Sequence, residues 1–406
     1  MTVSRRIFCA AALAATTAPA RGEAPVRAIT KGPKHHWFGY YDKLQFDPSG
    51  RFVLANEVDF EHRSPRAADE IRVGMVDLGD GDRWTELGRS KAWNWQQGCM
   101  LQWLPGSRDE VIWNDRVDGA FVCHIVNVKS GRRRTLPAPI YSVSPDGGWA
   151  VYPDFRRLNQ TRPGYGYAGI PDPFEAELAP EQSGLWRLDL KTGASRLLIS
   201  FADAARTPNL HSPWEPTAKH WFNHLLHSPD GKRFICLHRW RGPAQGAGFG
   251  TRLFTANAEG GDLYVTDPYG GTSHFVWRDA ATILAWAKHP SHGEKFYLYT
   301  DKSDRVEVIG KDVMTRNGHC TYLPGNRWIL NDTYPDAARM QQLYLYEVDT
   351  ARRVDLGRFH SPKEYAGEWR CDLHPRSSPD GRSVIIDSTH GGNGRQMYLV
   401  DVSRVV

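Results

Sequence analysis

The chain has 406 residues, 40% of them hydrophobic and 24% charged, which is enough apolar material for a sizeable core and excludes a disordered chain. Its formal net charge of +5 is spread without a basic block, so it offers no footprint for nucleic acid and only a weak preference for acidic partners. The 38 glycines and 26 prolines, beside 12% aromatics, favour many short strands and turns over helices.

In chain order, the first element is MTVSRRIFCAAALAATTAPA (1–20), with a basic start, an alanine-rich middle and an APA end, the form of a cleaved export signal. Ser4-Arg5-Arg6-Ile7-Phe8 fits the twin-arginine pattern, with cleavage expected after Ala20; an ordinary secretory signal is the alternative. Either predicts a periplasmic or secreted product with one domain over 25–406, expected to be monomeric. No later apolar run approaches the ~20 residues needed to span a bilayer. Beyond the signal stand Cys99, Cys123, Cys236, Cys320 and Cys371, too odd and sparse for a disulfide framework, though export leaves room for one bridge.

PVRAITKG (25–32) then reads as a lone strand, and His35 and His36 follow it just before a strand pair that begins at Phe38. From there a unit recurs: FGYYDKLQFDPSGRFVLANEV (38–58), then segments 98–115, 139–155, 223–240, 273–287, 318–334 and 371–388. Each places apolar β-branched or aromatic residues on both sides of a Pro/Asp/Gly turn, a hairpin signature. A second hairpin follows each unit except the last, which stops one strand short at QMYLVDVS. Four strands per unit in seven units predict an all-β, seven-bladed β-propeller. The N-terminal strand would complete the C-terminal blade and close the ring, removing exposed edges.

The turns between strands one and two, and three and four, are short: PSG, PDG, KSG, KTG, EGG. The long insertions, 57–70, 156–184, 201–219 and 239–251, fall in the other connections, so one face is plain and the other carries the loops that bind ligands. His224, His319 and His374 each stand four residues before the turn serine or leucine, and His274 is one residue off that register. Equivalent positions converge on the channel, which predicts four histidines together with Cys320, Cys371 and Asp372 beside them, a set suited to a divalent metal such as manganese, zinc or calcium. Second strands bring His238 and Arg239 to the same face, and Arg252 opens the next strand. Arginine and histidine in a positive protein predict an anionic ligand, and a carboxylated sugar fits because aromatic side chains stack on its ring. Tyr165 and Tyr167, in the glycine-rich insertion, are the candidates for that contact; most tryptophans, with the aromatics of HHWFGYYDK, read as blade packing. His36 is a secondary candidate. No P-loop, HExxH, strand-anchored GxGxxG or GxSxG elbow is present.

The units with SPDG turns resemble TolB-type propellers, and the segment from Arg252 onward resembles the oligogalacturonate lyase family, which is seven-bladed. TRLFTANAEGG resembles the segment carrying that family's arginine against the substrate carboxylate, which implies this role for Arg252. SHFVW implies a catalytic base at His274, with His224 a further catalytic candidate. GHCTYLPGN and DLHPRSSPDG imply metal ligation by His319 and His374, with Asp372 where the family has histidine; its glutamine ligand has no match near Trp369 and Arg370. HHWFGYYDK is similar to propeller ulvan and rhamnose–glucuronate lyases and to a propeller rhamnosidase family. The implied activity is β-elimination on a uronate-containing glycan. A rhamnosidase-like hydrolase and a non-catalytic glycan- or protein-binding propeller are the alternatives.

Overall fold

The computed structural model describes residues 24–406 except 210, 212 and 245–247; the expected export signal lies outside the described residues. Seven four-stranded antiparallel sheets surround a channel, as the repeat predicts. Val26–Ala28 pairs with Gln396–Asp401, Val26 opposite Val400, so the N-terminal strand closes the C-terminal blade. No described helix is long and apolar enough to cross a membrane.

The SPDG turns show how local chemistry sets the repeat. In blades 3, 4 and 7 the glycine N–H donates to the serine carbonyl at 2.9 Å (Gly147 to Ser144, Gly231 to Ser228, Gly381 to Ser378). The serine hydroxyl then accepts the amide of Trp149, Arg233 or Ser383 at 3.0–3.1 Å, opening the second strand. Each glycine sits at φ 69–72°, a left-handed conformation costly for other residues.

On the opposite face, buried arginines hold the long loops. Arg157 donates to the carbonyls of His220, Phe174, Glu177 and Leu178 and to Asp172, fixing the insertion that starts with helix Phe155–Thr161. Arg395 bonds the carbonyls of Trp95, Trp369 and Arg370, tying blade 7 to two neighbouring loops. The five cysteines are buried free thiols, so the bridge left open by the sequence does not form.

Blade 1 departs from expectation. Its innermost strand is His35–Trp37, not a run starting at Phe38, with His36 opposite Glu57. The chain leaves the sheet at Gly39 and returns at Phe46, which bridges to Val53. Gly39 has φ 124°, and a Cβ there would lie 2.7 Å from the Gln97 backbone, so only glycine allows the exit. The excursion Tyr40-Tyr41-Asp42-Lys43 enters the channel, correcting its reading as blade packing.

Candidate active site: a histidine chamber above a channel plug

The excursion is anchored across the ring. The Tyr41 hydroxyl donates to the Phe275 carbonyl at 2.9 Å and accepts the Phe275 amide at 3.0 Å, reaching blade 5. The buried Asp42 carboxylate accepts from Lys43 Nζ at 2.8 Å and His224 Nε2 at 3.2 Å. Burial disfavours the Asp42 charge, but Lys43 and His224 outweigh it and hold the carboxyl at about 2. Burial brings His224 down to about 4, so that imidazole is neutral at neutral pH. Below this plug, a cavity of about 480 Å³ opens on the face of short turns, lined by Tyr41, Lys43 and Trp277 among others.

Above the plug the predicted histidines assemble. Tyr40 lies 4.8 Å from His224 and 5.1 Å from His374, ring to ring, and His319 is 4.2 Å from both His274 and His374. His224 and His374 have φ of 50° and 42°, a left-handed conformation that costs about 1–3 kcal/mol and turns each ring into the channel. Asp332 accepts Nδ1–H of His319 at 3.0 Å and the amides of His319 and His374 at 2.6 and 3.2 Å. That pairing leaves the lone pair on His319 Nε2, which is buried without a partner; His374 Nε2 is also unpartnered. One ring nitrogen each of His319 and His374 and an oxygen of the Asp372 carboxylate lie within 4.8 Å of one another. An imidazole oriented by a carboxylate, with its other nitrogen orphaned, is the arrangement of a metal ligand. Two nitrogens and one carboxylate fit a divalent transition metal, zinc or manganese, better than calcium, which prefers an oxygen shell.

His274 sits beside this set. Its Nδ1–H donates to Asn317 Oδ1 at 2.9 Å, which leaves the Nε2 lone pair facing the Tyr334 hydroxyl at 3.4 Å. Burial, reinforced by His319, pushes the pKa values of His274 and His374 well down. Arg370 closes the wall: Nε donates to Asp372 at 2.6 Å and Nη2 to the Tyr165 hydroxyl at 2.7 Å. Burial raises the Tyr165 pKa, but Arg370 and Arg162 outweigh it and bring the phenol below its usual value.

Other sequence candidates fall elsewhere. Arg252 donates to His238 Nδ1 at 3.1 Å and to the carbonyls of Pro208, Ala204 and Thr207 at 2.7–3.0 Å. His238 in turn bonds His220 at 2.9 Å, with Trp214 over His220, His238 and the guanidinium. None of these bonds reaches the four channel histidines; they fasten the loop after Phe201–Arg206. Tyr167 is buried, stacked on Phe155 at 4.2 Å, and its hydroxyl accepts from Asn114 at 2.9 Å, so it supports the insertion and does not face the chamber. His36 bonds Glu57 in blade 1 and Gln396 in blade 7, and His35 pairs with Glu61. Arg239, by contrast, borders the chamber: it stands 4.7 Å from the Phe249 ring, and its charge is felt by Tyr165, Tyr40 and His224. Sequence reading did not single out Tyr40, Tyr41, Asp42, Tyr334 or Arg370. Tyr334 ends a predicted unit beside Asn331-Asp332, the one signal that pointed toward it.

No family model matches the chain, and no curated protein matches it in sequence. Among solved structures it is similar to an oligogalacturonate lyase from Vibrio parahaemolyticus, at 14% identity and TM-score 0.64 over 93% of this chain and 94% of that one. It is similar also to an oligogalacturonate lyase in complex with manganese, at 14% identity and TM-score 0.65 over 94% of each chain. A prolyl endopeptidase matches at 10% identity and TM-score 0.52 over 91% of this chain but 47% of its own length. At these identities the likeness establishes the fold: a seven-bladed propeller shaped as in oligogalacturonate lyases.

Proposed function

We propose that the protein is a lyase that cleaves a uronate-containing oligosaccharide by β-elimination. The observation that carries this reading is His274: a neutral imidazole with an available lone pair, beside two orphaned imidazole nitrogens, Arg370 and a phenol. The C5 proton of a uronate is α to a carboxylate and is acidic only when that carboxylate's charge is offset. His274 Nε2 takes the proton, the C5–H electrons form the C4=C5 double bond, and the C4–O bond breaks toward the leaving oxygen. The Tyr334 hydroxyl protonates that oxygen and is reprotonated from His274. Arg370, with Tyr165, orients the carboxylate. A divalent cation held by His319, Asp372 and His374 would supply Lewis-acid stabilisation of the enolate-like carboxylate. The carboxylate-facing role implied for Arg252 passes to Arg370, because Arg252 commits its donors to His238 and a loop away from the four histidines, whereas Arg370 borders them through Asp372.

A glycosidase of the common two-carboxylate kind needs one carboxylic acid kept protonated. The chamber carboxylates Asp372, Asp332 and Asp42 are each bound to a basic side chain, which favours elimination over hydrolysis. The test is a panel of acidic oligosaccharides read by short-wavelength ultraviolet absorbance and by reducing ends. Elimination gives both signals together; new reducing ends without absorbance would establish hydrolysis, and neither signal would leave a binding protein.

A further inference from the structure

Beside Tyr165, three arginines gather around one aromatic ring. Arg162, Arg239 and Arg241 stand 4.5, 4.7 and 5.9 Å from the Phe249 ring, and Arg162 is 5.1 Å from that of Tyr165. Like charges packed this closely repel, and burial adds to the cost: Arg239, only 6% exposed, is brought down to about 10 by burial and then by Arg162. Arg241 is lowered by the same two causes. The arginines that hold loops each donate to several carbonyls, and Arg395, whose Nε also lacks a hydrogen bond, has the Glu61 carboxylate 3.6 Å away. These three have neither: among the described residues the Nε of each is buried without a hydrogen-bond partner, and none forms an ion pair. Buried donors without acceptors are rare in folded proteins and mark a place where something outside the chain accepts them. Arg162 follows the helix of the blade 3 insertion, and Arg239 and Arg241 end the second strand of blade 4, so all three are on the decorated face.

We infer that Arg162, Arg239 and Arg241 form a second anion site, which takes the carboxylate of the sugar next to the one being cleaved. The inference rests on the uronate reading for the identity of the ligand, but not for the site itself. Tyr165 touches both basic poles, its hydroxyl accepting from Arg370 and its ring 5.1 Å from Arg162, and a chain with carboxylates on successive sugars can reach both. A single acidic sugar fills only one. The cluster therefore selects oligomers over monomers.

Inorganic sulfate, which needs no turnover, is the first probe. Calorimetric titration at constant ionic strength is expected to show saturable binding to the intact protein. Binding should weaken about tenfold or more in Arg162→Gln/Arg241→Gln, since each lost charged hydrogen bond matters on that scale. Both residues are half-exposed, so the substitutions spare the fold. Digalacturonate is the second probe: the same variant should raise its KM about tenfold with kcat within about twofold, the mark of lost uniform binding. Equal sulfate affinity in the two proteins overturns the site. Sulfate binding lost in the variant, with no turnover of any uronate by the intact protein, keeps the site and overturns the lyase reading. A variant that loses sulfate but keeps the KM for digalacturonate overturns the assignment to a second carboxylate.

Discussion

Two buried clusters of histidine and basic residues lie on the decorated side of the same ring. In one, Arg252, His238 and His220 form a chain of hydrogen bonds that ends on backbone carbonyls. In the other, His319 and His374 keep unpartnered nitrogens while Asp332 and Arg370 orient their surroundings. The residue types are nearly the same, and burial is as deep. What differs is whether each polar atom has a partner within the chain. A satisfied network stiffens a loop; an orphaned lone pair, held in place by a carboxylate behind it, is left for a cation, a proton or a substrate.

Exchanging the residues one cluster at a time would show whether this contrast holds. The largest effect is expected from His274→Ala, which removes the base and should lower kcat about 10²–10⁴-fold while leaving the thermal midpoint nearly unchanged. His319→Ala should release a bound divalent metal, checked by metal content after gel filtration, where the intact protein retains it. Arg252→Met belongs to the satisfied cluster. It should cost about 3–5 kcal/mol of stability, by stranding three carbonyls and His238, yet keep the kcat of the folded protein within a few-fold. A kcat loss matching that of His274→Ala would erase the distinction.

The plug gives a smaller, pH-dependent effect. The folded state holds Asp42 at about 2, below its ordinary 3.8. A depressed carboxylate contributes stability above its unfolded pKa and loses it as pH falls through the folded one. Thermal midpoints should therefore drop as pH falls from about 4 to about 2, with roughly 2–3 kcal/mol at stake. Replacing the pair by Asp42→Asn/Lys43→Met should flatten that limb. The smallest effect is expected from Tyr167→Phe, which loses one buried hydrogen bond worth about 1 kcal/mol and leaves activity intact. Tyr165→Phe, two residues away, should raise KM, because its hydroxyl bonds Arg370 in the chamber.

That last pair shows where the sequence was informative and where it was not. The blades, their turns and the ring closure were legible because SPDG hairpins and strand alternation are local chemistry, repeated often enough to fix a period. The histidine register was legible for the same reason: His224, His319 and His374 keep one spacing from the turn. The partners were not. Whether Arg252 faces a ligand or the carbonyls of residues 204–208 depends on how a loop from another blade connection folds over it. The plug was hidden in a strand-like run, because Gly39 is constrained by the Gln97 backbone and the Tyr41–Phe275 bonds act across more than 200 positions of sequence. Tyr165 and Tyr167 share one glycine-rich segment and face different partners, which spacing alone does not separate.

The decisive observation is the ultraviolet spectrum of the purified, metal-replete protein incubated with digalacturonate and longer galacturonate oligomers, beside His274→Gln. Short-wavelength ultraviolet absorbance that rises with time, with product masses that sum to the substrate without added water, is the result expected, and it should vanish in the variant. Products whose masses sum to the substrate plus one water, or absorbance that persists in His274→Gln, would contradict elimination by this histidine.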